Sequence, residues 1–175
     1  MGKESIEIHT KMDAEAFSAF SVFHTFRFHK WDLRLLLCTV GMTALALVQL
    51  YTGGVVLFWV FLCVGILFPI AFFIYFSQSM RGQIKTSKLD KPRFVYSVQL
   101  APGEVRVRND AEQAAFQWEE LHRVYLLPEY AYLYVSKARA FILPYRDIAN
   151  GSGEKLCRIV KENLPPERLV NKRKS

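Results

Sequence analysis

The chain lacks most of what an enzyme would need to announce itself. It has no HExxH, no paired CxxC and no DxD cluster, so no metal centre is written in it. It has no GxGxxG, no P-loop and no GxSxG, which leaves no signature of a nucleotide cofactor or a nucleophile elbow. Three cysteines in 175 residues, Cys38, Cys63 and Cys157, make no pair with redox spacing, and they read as small apolar residues in a reducing compartment. Glu119 and Glu120 are adjacent, so on a strand they would point to opposite faces and could not form an acid/base pair. His24 and His29 stand five apart, a spacing that does not share a face of an ordinary α-helix. The expectation is a non-enzyme with no cofactor and no metal.

Charge is missing in two long stretches. Residues 35–51 and 55–76 carry none. At about 1.5 Å per residue these runs reach roughly 26 and 33 Å, the second close to the hydrocarbon thickness of a bilayer. Leu33 and Arg34 can extend the first, with the Arg34 head rising to the interface. More than thirty residues precede the first run, which speaks against a cleaved signal peptide. Only Thr52, Gly53 and Gly54 join the runs, so they are expected to be antiparallel neighbours, with the glycines making the reversal. Gly41 and Gly65 mark places where the helices could approach closely. Trp31 and Tyr75 fit one interface, Tyr51 and Trp59 the other.

The charge that is present is unevenly placed. The net charge is +7. Residues 1–34 carry five basic and five acidic groups, and residues 77–175 carry 18 and 11, so the whole excess follows the second run. Arg81, Lys85, Lys88, Lys91 and Arg93 form a collar there, while the connecting loop has no basic residue. By the positive-inside rule both termini are expected in the cytoplasm, with the chain a multi-pass protein of the cell membrane. The collar is the first candidate for contact with anionic inner-leaflet headgroups, each basic residue contributing about 1 kcal/mol near an acidic leaflet. Arg106, Arg108, Arg123, Arg139 and Arg146 could add a basic face, and Lys172, Arg173 and Lys174 read as a disordered basic tail in residues 165–175. Nucleic-acid binding is not expected, because topology already accounts for the excess.

Outside the runs the hydrophobic period is mostly two. Ile6 and Ile8 alternate with Glu7 and His9, a short strand within residues 1–12. Asp13 can cap a helix with Glu15 in its first turn, leading an aromatic-rich juxtamembrane helix over residues 13–34. Residues 77–92 read as a basic helical extension or linker. Over residues 93–164 about six antiparallel strands follow, punctuated by Pro102-Gly103, Asn109-Asp110, Pro128-Glu129 and Pro144. Phe116 and Trp118 continue the strand pattern; Tyr130, Tyr132 and Tyr134 face one way and Ala131, Leu133 and Val135 the other. Leu156, Ile159, Val160 and Leu164 then recur at helical spacing, ending at Pro165-Pro166.

The segment Phe116-Gln-Trp118-Glu-Glu-Leu121-His-Arg-Val124-Tyr125, followed by Tyr132-Leu133-Tyr134-Val135 and by Ala140-Phe-Ile142-Leu-Pro144-Tyr-Arg146, resembles the YcxB-like family of bacterial membrane proteins. The resemblance implies an N-terminal strand, two membrane helices and a PH-like C-terminal domain. In it Trp118, Tyr132, Tyr134 and Pro144 are motif residues with a structural role. The sequence departs where Tyr145 and then Arg146 follow the proline, since a basic residue usually follows directly.

The fold expected is therefore an α+β membrane protein. A two-helix transmembrane hairpin is joined to a small antiparallel β-barrel or sandwich, PH-like and capped by a C-terminal helix, with the N-terminal strand joining the sheet. The function expected is a protein- or headgroup-binding regulatory module at the inner leaflet, using a strand edge or a groove beside the C-terminal helix. The alternative is an accessory subunit of a membrane enzyme or transporter complex, with the bilayer, an unknown protein or a second copy of the chain as partners. Transport would need such oligomers, because neither run holds a polar pathway.

Overall fold

The computed structural model describes residues 5–89, 91, 93–109 and 113–173. Asp110 of the second turn signal, Lys174 of the tail and the side chain of Arg93 lie outside what is described. The chain forms two compact units, residues 17–90 and residues 1–16 with 91–175.

In the β unit, β1 (Ile6–Met12), β2 (Arg93–Leu100), β3 (Val105–Arg108), β4 (Gln113–Phe116) and β8 (Ile148–Asn150) form one sheet, in the order β4-β3-β2-β1-β8. β1 buries Ile6, Ile8 and Thr10 and exposes Glu7, His9 and Lys11, the alternation its sequence carries. It pairs antiparallel with β2, Ile8 opposite Val98, and takes β8 on its other side. The first strand of the chain thus lies inside a sheet whose other members come more than eighty residues later.

The second sheet holds β5 (Arg123–Leu126), β6 (Tyr130–Tyr134), β7 (Ala140–Pro144) and β9 (Leu169–Asn171), in the order β7-β6-β5-β9. α4 (Gly153–Asn163) begins at Ser152, whose hydroxyl accepts from the Lys155 N–H. Its Leu156, Ile159 and Val160 join Ile6, Ile8, Val98 and Leu100 of the first sheet and Val124, Leu126, Leu133 and Leu143 of the second in one core.

No barrel closes. The two sheets stay open and meet through side chains instead. The hydroxyl of Tyr96 on β2 accepts from the Ile142 N–H at 2.7 Å and lies 3.0 Å from the Ile142 carbonyl, to which it donates. Thr10 Oγ1 donates to the same carbonyl at 3.2 Å. Two hydroxyls therefore satisfy backbone groups of β7, an edge strand that would otherwise present them unpaired.

Two further expectations change. Trp118, Glu119 and Glu120 form a 3-10 turn rather than a strand, closed by a capping box between Gln117 and Glu120. The Gln117 amide takes the carboxylate of Glu120 at 2.8 Å, so this glutamate is committed to its own turn. Residues 166–173 are tied to the β unit rather than forming a free tail. Arg168 donates to the carbonyls of Glu119 and Leu121, β9 pairs parallel with β5, and the Lys172 N–H reaches the Leu126 carbonyl at 2.8 Å.

In the helical unit, α1 (Ala14–Val22) runs into a π-helical turn over Phe23–Phe28, and Lys30 then adopts φ +53 before α2 (Trp31–Tyr51). The continuous helix expected over 13–34 is therefore broken twice. α2 and α3 (Val55–Thr86) are both long and apolar enough to cross a membrane. α3 carries the helix ten residues past the uncharged run, and α2 begins four residues before its own. α2 ends in a Schellman motif. Gly53, at φ +82, donates to Leu50, and Gly54 donates back to Gln49 at 2.7 Å. At Gly65 the helices touch: a Cβ there would stand 3.0 Å from Met42 Cβ, and Thr39 Oγ1 donates to the Gly65 carbonyl at 3.2 Å. Gly41 has open space around it and is not a contact point.

Candidate functional site

α4 has two faces. One enters the core, and the other, Glu154, Arg158, Lys161 and Glu162, is exposed at spacings of three and four. Cys157 lies on the seam between them. Because β9 returns alongside, a groove of about 600 Å³ opens between this face, Asn171 and Arg173.

Arg173 is held there from two sides. Its Nη1 donates to Cys157 Sγ at 3.3 Å, and its guanidinium lies 5.1 Å over the Tyr145 ring. A Cβ on Gly153 would meet Arg173 Nη1 at 3.3 Å and Tyr145 Cγ at 3.4 Å, so the bare glycine leaves room for the stack. The Tyr145 hydroxyl is buried without a well-formed hydrogen bond and faces the Cys157 sulfur. Burial first, then Cys157, pushes this phenol well above its ordinary value, so it stays protonated as a potential donor. The hydrogen bond with Cys157 raises Arg173 further. Three cations and two carboxylates line the groove, with one guanidinium already oriented. It can take an acidic group and little else of strong charge.

A second cavity, of about 380 Å³, lies beside Glu15, Pro128, Tyr130, Pro144 and Arg146. Here the arginine is occupied. Arg146 bonds Asp13 at 2.5 Å and Glu15 at 3.1 Å. The basic residue displaced by one position from the usual pattern thus ties the start of α1 to the turn after β7. Asp147 accepts from the Lys11 N–H at 2.8 Å, a long-range tie rather than a local cap.

The other residues singled out by sequence fall as follows. Trp118 is buried and donates Nε1–H to the Ala101 carbonyl at 2.9 Å. Tyr132, Tyr134 and Pro144 are buried in the second sheet, and burial raises both phenols. Arg81 and Lys85 are exposed one turn apart on α3, Lys88 sits past its end at φ +53, and Lys91 is exposed; Arg93 opens β2. Trp31 stacks on Phe72 at 5.1 Å and the Arg34 guanidinium lies 5.5 Å from the centre of its ring, whereas Tyr51, Trp59 and Tyr75 are exposed. Arg106 pairs with Glu104, Arg123 reaches the Tyr125 hydroxyl and Arg139 lies over Phe141, so with Arg146 four of the five arginines of the expected basic face have a partner of their own, while Arg108 is exposed on β3. Sequence reasoning named a groove beside the C-terminal helix but not its lining: Cys157 read as a small apolar residue, and nothing in the spacing brought Arg173 back to it.

The two histidines are a correction. A π-helical turn closes at i, i+5, so the backbone N–H of His29 donates to the His24 carbonyl at 3.1 Å, and the two Nε2 atoms meet at 3.1 Å.

Residues 100–156 match the YcxB-like protein family. That is the family suggested by the motif residues. The YcxB-like segment runs from the end of β2 to the first turn of α4, so it includes Trp118, Tyr132, Tyr134, Pro144 and Tyr145. It stops short of Cys157 and Arg173, and it includes neither β1 nor the apolar helices. Neither a curated protein nor a solved structure matches the chain.

Proposed function

We infer that the chain is a bacterial cell-membrane protein, anchored by the α2–α3 hairpin with both ends in the cytoplasm, and that the β unit is a PH-like module that binds rather than catalyses. The groove beside α4 takes the phosphate of an anionic lipid headgroup. The observation that carries the anchor is the outward apolar surface of the hairpin. The most hydrophobic stretches of α2 and α3 are only 11% and 6% buried, an arrangement that water would oppose and lipid would favour. The observation that carries the binding site is Arg173, fixed over Tyr145 at the mouth of the groove with Arg158 and Lys161 opposite. Arg81 and Lys85 on the α3 extension add non-specific attraction to the same leaflet.

Cys157 supplies the readout, since it lies in the groove wall. The full chain carrying Cys38→Ala and Cys63→Ala would be placed in nanodiscs of phosphatidylcholine, with and without phosphatidylglycerol. Maleimide alkylation of Cys157 would then be timed. Slowing in the anionic discs, lost in Lys161→Ala, is the expected result. Slowing by inorganic phosphate alone would assign the site to a free anion. Equal rates in all discs would remove the headgroup reading.

A further inference from the structure

A different feature lies in the helical unit, independent of the groove. The π-helical turn Phe23–Phe28 is an unusual backbone, and its sequence explains why it holds. The extra residue per turn sets His24 above His29. His24 is also stacked between Phe20 and Phe28, each ring centroid 5.4 Å away, and meets His29 edge-on at 4.6 Å. An ordinary helical turn would rotate His29 away from this column. The backbone bond from His29 to His24 and the side-chain contact therefore stand or fall together.

The contact has a definite proton requirement. Two nitrogens 3.1 Å apart need one donor and one acceptor, so at least one imidazole must be unprotonated at Nε2. With one proton in excess, the imidazolium can still donate to its neighbour, and the bond is strengthened by charge. With both rings protonated, both nitrogens are donors carrying like charge, and the contact cannot exist. We propose that His24 and His29 form a proton-operated latch on the π-turn between α1 and α2: it is closed while the pair holds no more than one excess proton and open once it holds two.

The surroundings favour this use. Burial, then the charge of His29, lowers the pKa of His24 below its ordinary value. The side chains of α3 that line the cavity beside His24 are Phe76, Ser79, Met80 and Gln83, none of which titrates. Arg27 and Lys30 on the turn's own segment are exposed cations, and the carboxylate of Asp32 is held by the Leu33 N–H. The sign follows from the lowered value. The folded turn binds fewer protons than the open chain, so its stability is fully present above the unfolded value near 6.5 and is lost as pH falls through the lower folded value. Lys30 at φ +53 follows directly, so the joint has a residue in an unfavoured conformation to release when the latch opens.

Hydrogen exchange of the His29 amide, measured on the full chain in nanodiscs and corrected for intrinsic rate, reads the latch. Protection should hold from pH 7.5 to about 6.5 and then fall by about tenfold per pH unit as the second proton binds. His29→Gln, which keeps a donor but does not titrate, should flatten this dependence. His24→Phe, which keeps the stack but not the bond, should give low protection at every pH. NMR titration of the His24 ring in the wild-type chain should place its step below the ordinary value, and His29→Gln should move it back up. A flat corrected protection in the wild type, an unchanged pH dependence in His29→Gln, or a His24 step that does not lie below its ordinary value would overturn the latch.

Discussion

In the β unit, apolar side chains are hidden: Ile6, Ile8, Val98, Leu100, Leu126 and Leu133 have no exposed surface. In the helical unit they face outward, with Leu37 62% and Val56 76% exposed, and among the described residues of 17–90 only Phe23, Leu35, Ala46 and Leu89 are well covered apolar side chains. Apolar residues are plentiful in both units, but charge is not: residues 35–51 and 55–76 of the helical unit carry none. On the anchoring proposed above, what differs is the medium each surface is built for. Water drives the first arrangement by burying apolar area, whereas lipid removes that drive and leaves close packing and hydrogen bonds to hold the helices together. Gly65 with Thr39 is such a contact. Ile142 with Tyr96 and Thr10 is its counterpart in the β unit, a polar tie set beside an apolar core.

The sharpest way to break this comparison is to shorten one leucine in each unit. Leu133→Ala should destabilise the β unit by about 2–5 kcal/mol in denaturant unfolding, because it leaves a cavity between two sheets. Leu37→Ala should change the stability of the reconstituted chain by less than about 0.5 kcal/mol. A large effect at Leu37 would mean that protein, not lipid, covers it. Next in size is Gly65→Val, whose side chain would press on Met42 and should cost the hairpin about 1–3 kcal/mol, read by unfolding in lipid. Gly41→Val, facing open space, should leave helix pairing unchanged. Two helix ends come third. Lys88 occupies the left-handed position that Gly53 occupies in the other helix, in the same Schellman pattern, with Leu89 donating to Ile84 at 3.0 Å. Lys88→Gly should therefore raise stability by about 1 kcal/mol and Gly53→Ala lower it by a similar amount. Smallest is Arg146→Ala. Its ion pairs with Asp13 and Glu15 are 46% exposed on the arginine side, so thermal unfolding should shift by no more than about 1 kcal/mol, and less in high salt.

Much of the fold was legible where one local signal had one reading. The uncharged runs, the Gly53-Gly54 reversal and the alternation of residues 6–10 each specify a conformation without help from distant residues. That β1 joins the later sheet followed from the hairpin returning the chain to its starting side, while its partners β2 and β8 did not. Whether the sheets close into a barrel or stay open was not legible, because strand count does not say whether sheets join by backbone or by side chains such as Tyr96. The π-turn was hidden because His24 and His29 were read on an α-helical wheel, and the energy that favours the rarer turn lies in ring contacts. The lining of the groove was hidden for another reason. Arg173 reaches Cys157 only because β9 pairs parallel with β5, and a three-residue strand after two prolines carries almost no pattern.

The hairpin is the central claim, and topology tests it most directly. In a cysteine-free background, Thr52→Cys places one thiol in the loop between α2 and α3, and Lys137→Cys places one in the exposed turn between β6 and β7. A membrane-impermeant maleimide applied to intact cells should label the first, and should label the second only after the membrane is opened. Labelling of Lys137→Cys from outside, or release of the wild-type chain from membranes by alkaline carbonate, would contradict it.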